Sequence, residues 1–480
     1  MERCRKGMWI SAGFGLIMLM VFYTGAAAGA ETKTEVLQPP PQAEEEAPPE
    51  KKPLEKPSEL SPKFYPGIVP YAPYTTTFQP GPGTGMLAPY GYGAAEDTLI
   101  RGWQRHRLGP VSVAPYLEYD GIYRTNAFQT YTDKRSDFVN MINPGLRFEL
   151  PVAGTHRLSL GYLGNAFLYS RFSERSHFDQ NVNADAAFNF SKLSVRAGSA
   201  FRAATEEPTA IVSPTNFTIG RQRFYYRTTP YLQAAYKMAD RWRIEGNYQF
   251  DDLSFPKRID RINDYQYNTF GTTLFYKFWP KTSALVQYVA VIRSHPFDAT
   301  RDNVVHTPLV GLTWEPTAKL SGMVKFGYTI ANYTNNLPGL QSSTNSWALS
   351  IQTLYKISRF TQLSLIAQRG IQEDADFANN GYINSGLFLT LSHYWHYFDV
   401  TSYAAFSYYN NAYFNESLDT FTGELVKRND NFTSFGAGLS RPLTKWLKVR
   451  VDYLYNNRGS NFSFFAYNEH KVLFGIQSSF

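Results

Sequence analysis

The chain has 480 residues, and its mean hydropathy of −0.35 is low although 16% of the residues are aromatic. A helical membrane protein would show several long apolar runs. Strands that are apolar on one face and polar on the other give this diluted mixture. The formal net charge is +7, with the basic surplus in residues 101–480. In an exported protein such a surplus favours anionic solutes, lipids or polymers as partners and disfavours nucleic acid.

The N-terminus has the pattern of a secretory signal peptide. Basic residues precede an apolar stretch over residues 8–23, and small residues follow over residues 25–30. We therefore expect residues 1–30 to be removed on export. An uncleaved membrane anchor is the alternative, which the short apolar stretch disfavours. The single cysteine, Cys4, lies in this segment, so the mature chain is expected to lack a thiol.

Residues 31–100 form a second compositional region, predicted to be a Pro-rich and largely disordered periplasmic segment. Half of the 28 prolines lie between residues 38 and 95. The first part is charged and typical of an extended linker, whereas the second part is rich in Tyr, Pro and Gly. A flexible tether, a dock for a periplasmic partner and a plug for a pore all remain open for this segment.

From about residue 110 onward, apolar and polar residues alternate. Near the C-terminus, for example, Val449 and Val451 alternate with Lys448, Arg450 and Asp452. Such stretches have a period of two residues and run for about ten residues, which suits a tilted strand that crosses a membrane. The pattern predicts strands with one face toward lipid and the other toward water.

Short links join these segments in pairs, and longer polar links, such as residues 332–345 and 410–431, alternate with them. The short links fall at residues 151–155, 191–192, 239–240, 279–281, 315–317, 358–359, 396–397 and 441–444. This asymmetry is typical of outer-membrane barrels. With a strand near residues 111–126 and the terminal strand, the links predict about 18 strands, with sixteen as the alternative count. The predicted fold class is all-β: a transmembrane, antiparallel, up-and-down β-barrel over residues 101–480.

The last strand resembles the C-terminal signal that the outer-membrane β-barrel assembly machinery reads. Its apolar face carries Val472, Phe474, Ile476 and the terminal Phe480, although Ser478 departs from the usual pattern. A strand edge left unpaired in hydrocarbon is unfavourable, so we expect this strand to close the barrel against the strand near residues 111–126.

The same alternation predicts a set of charged side chains that face the lumen. Charges that face lipid near the middle of the bilayer would cost about 2–4 kcal/mol each. The predicted lumen-lining residues are Arg147, Glu149, Arg157, Arg196, Arg202, Arg243, Glu245, Lys325, Lys448, Arg450 and Asp452. Whether they select a cargo or pair with one another stays open, and their basic excess predicts a preference for anions.

No catalytic, metal-binding or cofactor-binding constellation is predicted, and we do not expect an enzyme. His393 and His396 have a spacing that can suit a metal, but this stretch runs into a predicted turn, which favours two histidines at the water interface. The acidic pairs at residues 251–252 and 374–376 lie in or beside loops. Neither pair has the spacing of a known calcium loop, so solvated charge is favoured.

Two stretches, residues 136–162 and 310–328, resemble hairpins of the family called "putative β-barrel porin 2". The resemblance runs from about residue 110 to the C-terminus and implies an outer-membrane barrel. Members are commonly associated with exopolysaccharide or capsule export. The family's Tyr-Asp-Asp-Asn strand ending is matched only in part by residues 119–126, so no residue role is transferred.

The sequence and the resemblance together lead to one main hypothesis and two alternatives. The main hypothesis is a porin-like channel that exports an exopolysaccharide across the Gram-negative outer membrane, with both termini in the periplasm. The alternatives are a general diffusion porin for small solutes and a non-conducting barrel that scaffolds periplasmic partners through its Pro-rich arm. Expected partners are outer-membrane lipid and lipopolysaccharide, the assembly machinery and periplasmic polysaccharide-export components.

Overall fold

The computed structural model describes residues 106–479, apart from residues 154, 207–221, 315–318, 335–340, 374–380 and 420–421. The predicted signal peptide, the predicted Pro-rich segment and Phe480 lie outside the described residues. No helix among the described residues has the length and hydropathy of a membrane span.

The described chain is almost entirely β-strand, with four short 3-10 turns in its longer loops. The strands are β1 His106–Leu108, β2 Val111–Arg124, β3 Asp137–Val152, β4 His156–Tyr169, β5 His177–Asn189, β6 Leu193–Glu206, β7 Arg223–Lys237, β8 Trp242–Ser254, β9 Tyr265–Trp279, β10 Thr282–Ser294, β11 Asn303–Trp314, β12 Leu320–Tyr333, β13 Ser343–Lys356, β14 Thr361–Gln372, β15 Tyr382–Trp395, β16 Val400–Leu418, β17 Leu425–Pro442, β18 Leu447–Ser460 and β19 Tyr467–Ser479. The 3-10 turns are Ser173–Arg175, Arg258–Asn263, Ala299–Arg301 and Ser463–Phe465.

Strands β2 to β19 form a closed barrel of 18 antiparallel strands. Each strand pairs with the next one in the chain, and β19 returns to pair with β2 over Lys471–Ser479 and Tyr116–Arg124. The predicted fold class, strand number and closing pair are therefore confirmed. The short β1 is an addition to the prediction. It pairs with the start of β2 across a tight turn, in which Gly109 has a φ of 63°.

The two ends of the barrel differ in their connections. Each of the eight short links predicted from the sequence lies between two consecutive strands, and we call this end of the barrel the turn end. The opposite end, which carries the longer connections, is called the loop end. β2 begins at the turn end and β19 finishes there.

One predicted loop is wrong. The polar residues 410–431 were expected to form a long link, but β16 runs to Leu418 and β17 begins at Leu425. Cross-strand pairs continue through this region, with Asn411 opposite Asp430 and Glu416 opposite Lys427. Polar side chains on both faces are compatible with a strand wherever the sheet extends beyond the bilayer into water, so the polarity of this stretch did not mark a loop.

The wall of the barrel parts at one place. Pairing of β13 with β14 stops at Leu349 and Arg369, although β13 begins six residues earlier, at Ser343, and β14 continues to Gln372. The end of β14 instead approaches the next strand but one, β12. Ile371 is 1% exposed and belongs to a buried apolar cluster with residues of β9 to β12. The loop end of β14 therefore lies against the inner face of its neighbours.

Candidate functional site: the inner face of the barrel

Cross-strand register decides which side chains share a face, because directly opposed residues point to the same side of a sheet. Followed around the barrel, the register places every predicted lumen-lining charge on one side, the inner face. The large exposed apolar side chains lie on the other side, the outer face; examples are Val286, Phe326 and Val451. A polar interior within an apolar exterior is the arrangement of a barrel in a membrane.

Arg450 holds together the largest group of predicted residues. Its Nη2 atom lies 2.8 Å from Asp120 and 2.9 Å from Glu118, both on β2, and its Nε atom lies 3.8 Å from Asp452. The Arg450 side chain reaches these partners across β19 at Gly475, which is opposite both Arg450 and Asp120. Asp452 also accepts a hydrogen bond of 2.8 Å from the Tyr403 hydroxyl. Side chains of three strands, β16, β18 and β2, are thus joined across β17 and β19 where the barrel closes.

The remaining predicted charges fall into two groups. Six of them have polar partners on the inner face. Five are in ion pairs: Arg147 with Glu149 at 3.1 Å, Arg243 with Glu245 at 3.1 Å, and Arg196 with Asp185 at 2.6 Å. Lys325 donates to Gln287 at 3.1 Å. The other three, Arg157, Arg202 and Lys448, are exposed on the inner face. Most of the predicted charges therefore pair with one another or with polar neighbours, which was one of the two roles left open.

Three residues of the predicted assembly signal, Val472, Phe474 and Ile476, lie on the outer face of β19. Val472 and Phe474 are exposed, and Ile476 is half-buried beside Tyr119 of β2. Phe480 is outside the described residues.

A further set of charged side chains, on the inner face at the loop end, was not predicted. Arg124 lies 2.6 Å and Lys471 3.4 Å from Glu469, while Arg428 and Arg458 each lie 2.7 Å from Asp430. Arg227 lies 2.6 Å from Asp251. All of these side chains belong to wall strands. Part of this set could have been predicted from the sequence, because Glu469 and Lys471 continue the alternation of the terminal strand on the N-terminal side of Val472.

Glu373, the residue after β14, forms a further cluster at the loop end. Its carboxylate lies 2.7 Å from His295 Nε2, 3.0 Å from Arg301 Nη2 and 3.9 Å from Arg293 Nη1. The Tyr267 hydroxyl donates a hydrogen bond to it. Burial on its own would raise the pKa of this carboxyl group, but Arg301, His295 and Arg293 together hold the pKa below its ordinary value. Glu373 is therefore a buried carboxylate in a cationic setting.

The outer face carries a belt of tyrosines toward the loop end. In six hairpins a Tyr hydroxyl is hydrogen-bonded to an Asn or His of the next strand, at 2.7–2.9 Å. The pairs are Tyr119–Asn140, Tyr248–Asn268, Tyr288–His306, Tyr328–Asn345, Tyr408–Asn431 and Tyr453–His470. Aromatic residues with a polar tip mark the interface between hydrocarbon and water.

The two histidines with metal-like spacing, His393 and His396, contact different residues. His393 is 2.8 Å from the Thr361 hydroxyl, and His396 stacks on the Phe360 ring. Within the described ranges no group of three or more potential ligands could hold a metal ion.

Comparison with known proteins identifies the family. A family model described as "Putative beta-barrel porin 2" matches residues 105–480. The chain belongs to this family. Its members are porin-like barrels of the outer membrane, so the predicted family and the outer-membrane location are confirmed. No curated protein matches the chain.

Several solved structures are similar in fold at low identity. OpdK of Pseudomonas aeruginosa has a TM-score of 0.42 and 11% identity, with 77% of this chain and 99% of that chain covered. OccAB4 of Acinetobacter baumannii has a TM-score of 0.42 and 11% identity, with 78% and 99% covered. The siderophore receptor PirA of the same organism has a TM-score of 0.38 and 9% identity, with 77% and 80% covered.

Proposed function

We propose that this barrel is a channel through which a hydrophilic polymer, an exopolysaccharide, leaves the cell. The observation that supports this is the inner face, where charged and hydroxyl-bearing side chains of most strands face a common interior. Such groups are stable in a membrane protein when they pair with one another or contact water. The basic surplus favours an acidic polysaccharide over a neutral one.

The proposed orientation puts the turn end in the periplasm, because short periplasmic turns are the rule in outer-membrane barrels. Both termini then lie in the periplasm, and residues 31–100 are available there to periplasmic polysaccharide-export components. The assembly machinery reads the outer face of β19, and lipid and lipopolysaccharide contact the tyrosine belt. In this proposal the protein is not an enzyme, and the driving force comes from elsewhere.

Planar-bilayer recordings test the channel. We expect an open, anion-preferring conductance from the refolded full-length protein and from a variant without residues 31–100. If neither protein conducts, the channel proposal is wrong. Equal passage of small neutral sugars and anions into liposomes would instead identify a general diffusion porin.

The cargo needs a separate test in the native cell. Deletion of the gene should abolish the secreted polysaccharide, and expression of the full chain should restore it. Unchanged secretion after deletion would remove the assignment to exopolysaccharide export and leave the channel without an assigned cargo.

One observation favours a second candidate, the non-conducting scaffold. The end of β14 covers the inner face of β9 to β12 with buried apolar contacts, and this narrows the interior. A barrel narrowed in this way is either gated or closed. Absence of conductance, combined with capture of a periplasmic export component by residues 31–100, would support the scaffold.

A further inference from the structure

The end of β14 occupies space that belongs to the interior of the barrel. Its residue Ile371 packs with Val289, Val291 and Val305, all of which are on the inner face of β10 and β11. Those two strands are therefore apolar on both faces over this stretch. Apolar side chains directed into a wet lumen would be unfavourable, so the apolar inner surface requires a cover, and the β14 end supplies it.

The next residue but one, Glu373, reaches a cationic pocket formed by other elements. Arg293 lies at the end of β10, His295 directly follows that strand, and Arg301 belongs to the 3-10 turn Ala299–Arg301. Asp302 faces the same histidine at 3.4 Å. Glu373 is the one member of this cluster that comes from the β14 end. The pocket is therefore built by the end of β10 and the β10–β11 connection, and it is filled by the residue that follows β14, whose end pairs with β15 but has parted from β13.

The pocket keeps hydrogen-bonding capacity that Glu373 does not use. The Arg293 side chain is 1% exposed, and its Nε atom has no hydrogen-bond partner in the described part of the chain. A buried donor without an acceptor is unfavourable, and guanidinium groups bind carboxylates best when two N–H groups engage both oxygens. The shortest distance from the Arg293 guanidinium to the Glu373 carboxylate is 3.9 Å, which is too long for such a two-point hydrogen-bonded pair.

We infer that Arg293, His295 and Arg301 form a binding site for a carboxylate group of an acidic polysaccharide, and that Glu373 occupies this site in the resting channel. The inference rests on the proposed function, because it names the chemical class of the cargo. Loss of Glu373 from the pocket would leave buried cations uncompensated, so departure of the β14 end requires a replacing anion. A uronate unit of the polymer supplies one, and its binding shifts the β14 end out of the lumen.

The other loop-end carboxylates provide the contrast that supports this inference. Asp430 also lies between two arginines, but at this position its strand β17 pairs with both neighbouring strands, with Asn411 of β16 and with Ser460 of β18. Asp430 therefore cannot leave its partners without opening the wall. Glu373 follows a strand end that has separated from β13 and keeps only β15 as a partner, so its carboxylate can exchange with a ligand while fewer strand contacts are disturbed.

Calorimetry on the full-length protein in detergent tests the site without requiring conductance. The probe is an oligogalacturonate of about six units, and maltohexaose of equal length is the neutral control. We expect Glu373→Gln to bind oligogalacturonate at least about tenfold more tightly than the parent protein, because the internal competitor is removed. Adding Arg301→Gln to that variant should abolish the gain. Maltohexaose binding should be the same in every variant.

Asp252→Asn is the matched control, because it removes one negative charge at the loop end on the outer face, where Asp252 contacts Gln266. Its affinity for oligogalacturonate should equal that of the parent. Heat-modifiable mobility in gels shows that each variant is folded. Unchanged affinity in Glu373→Gln, or an equal gain in Asp252→Asn, would overturn the site.

Bilayer recordings of the same proteins separate this inference from the proposed function. Conductance without an affinity gain in Glu373→Gln overturns the site and leaves the channel. An affinity gain without conductance in any variant supports the site and overturns the channel.

Discussion

The barrel has two joints between strands that behave differently. The joint between β19 and β2 connects the ends of the barrel, and the joint between β13 and β14 connects consecutive strands. At the first, pairing continues to the loop end, where Lys471 lies opposite Arg124. At the second, pairing stops at Arg369, and the strands part. The number of residues between two strands in the sequence therefore does not decide whether their pairing continues to the loop end.

An arginine stands at each joint, and their partners differ. Arg450 engages carboxylates on β2 and β18 across the β19–β2 joint. Arg369 lies on the outer face, with its guanidinium 4.4 Å from the Trp347 ring of β13 and a hydrogen bond to Ser385 of β15. Ion pairs stabilise the joint between β19 and β2, which closes the barrel. Weaker contacts are present at the joint between β13 and β14, where the end of β14 turns inward.

The largest expected effect follows from Arg450→Ala. The substitution leaves Glu118, Asp120 and Asp452 without their shared cation, and Asp120 is fully buried. Breaking a buried ion pair costs about 3–5 kcal/mol, so the free energy of unfolding in guanidinium should fall by about that amount. Arg243→Ala is the control, because its partner Glu245 is on the same strand and both side chains are partly exposed, so the loss should stay below about 1 kcal/mol. Equal losses would show that the joint has no special seal.

Gly475→Ala tests the same joint sterically. A Cβ atom at this position would lie 2.6 Å from Arg450 Nε and closer still to Asp120 Oδ1, so the bridge over β19 must shift. We expect a loss of about 1–3 kcal/mol in the free energy of unfolding. Gly246→Ala is the control, because no atom lies within 4 Å of the place that an alanine Cβ atom would take there. A loss at Gly475 no greater than that at Gly246 would contradict the bridge.

The sequence alone predicted the closing joint but not the parting one. Period-two alternation and the short links determine the strand number and the face of each charge, and both are properties of single strands and their nearest connections. The partners of Arg450 could not be predicted, because Asp120 is 330 positions away and the register between β18, β19 and β2 is set by the closure of the whole barrel. The inward faces of these strands follow from local sequence, whereas the contacts between them do not.

The sequence of β10 contains one indication that another segment covers the inner face of this strand. β10 reads Thr-Ser-Ala-Leu-Val-Gln-Tyr-Val-Ala-Val-Ile-Arg-Ser, which is apolar on both faces near its middle. Such a strand in an otherwise alternating barrel indicates an apolar cover on the inner face. What the sequence does not contain is the identity of that cover, because Ile371 is 80 residues or more from Val289 and Val291. The prediction of a loop over residues 410–431 was wrong for a different reason. A strand that extends into water needs no apolar face, so its polar sequence resembles that of a loop.

Arg369→Ala tests the parting joint. It removes the contact with Trp347 and the hydrogen bond to Ser385, and each is a partly exposed interaction of modest strength. We expect the free energy of unfolding to fall by about 1 kcal/mol. Hydrogen exchange should become faster in the amides of β14 next to this position. A loss as large as that of Arg450→Ala would mean that both joints are equally sealed.

Glu373→Gln should affect global stability less than Arg369→Ala. The β14 end has already parted from β13 and pairs only with β15, so losing the charge loosens this end without breaking further pairs between strands. The free energy of unfolding should change by less than about 1 kcal/mol, while amides at Gly370–Gln372 exchange faster. Global destabilisation comparable to Arg450→Ala would show that the β14 end is an integral part of the wall.

The smallest effect is expected from mild acidification, and its sign follows from Glu373. The pKa of this carboxyl group is lowered in the folded state, so the stabilisation by its charge is present above the ordinary glutamic acid pKa of about 4.3. That stabilisation is lost only when the pH falls through the lower, folded-state pKa. Tyr267, Arg293, His295 and Arg301 face the carboxylate, and Asp302 faces His295. Conductance and exchange at the β14 end should therefore stay constant from pH 7 to about pH 4.5, and release of the strand end within this range would show that the cluster does not hold it.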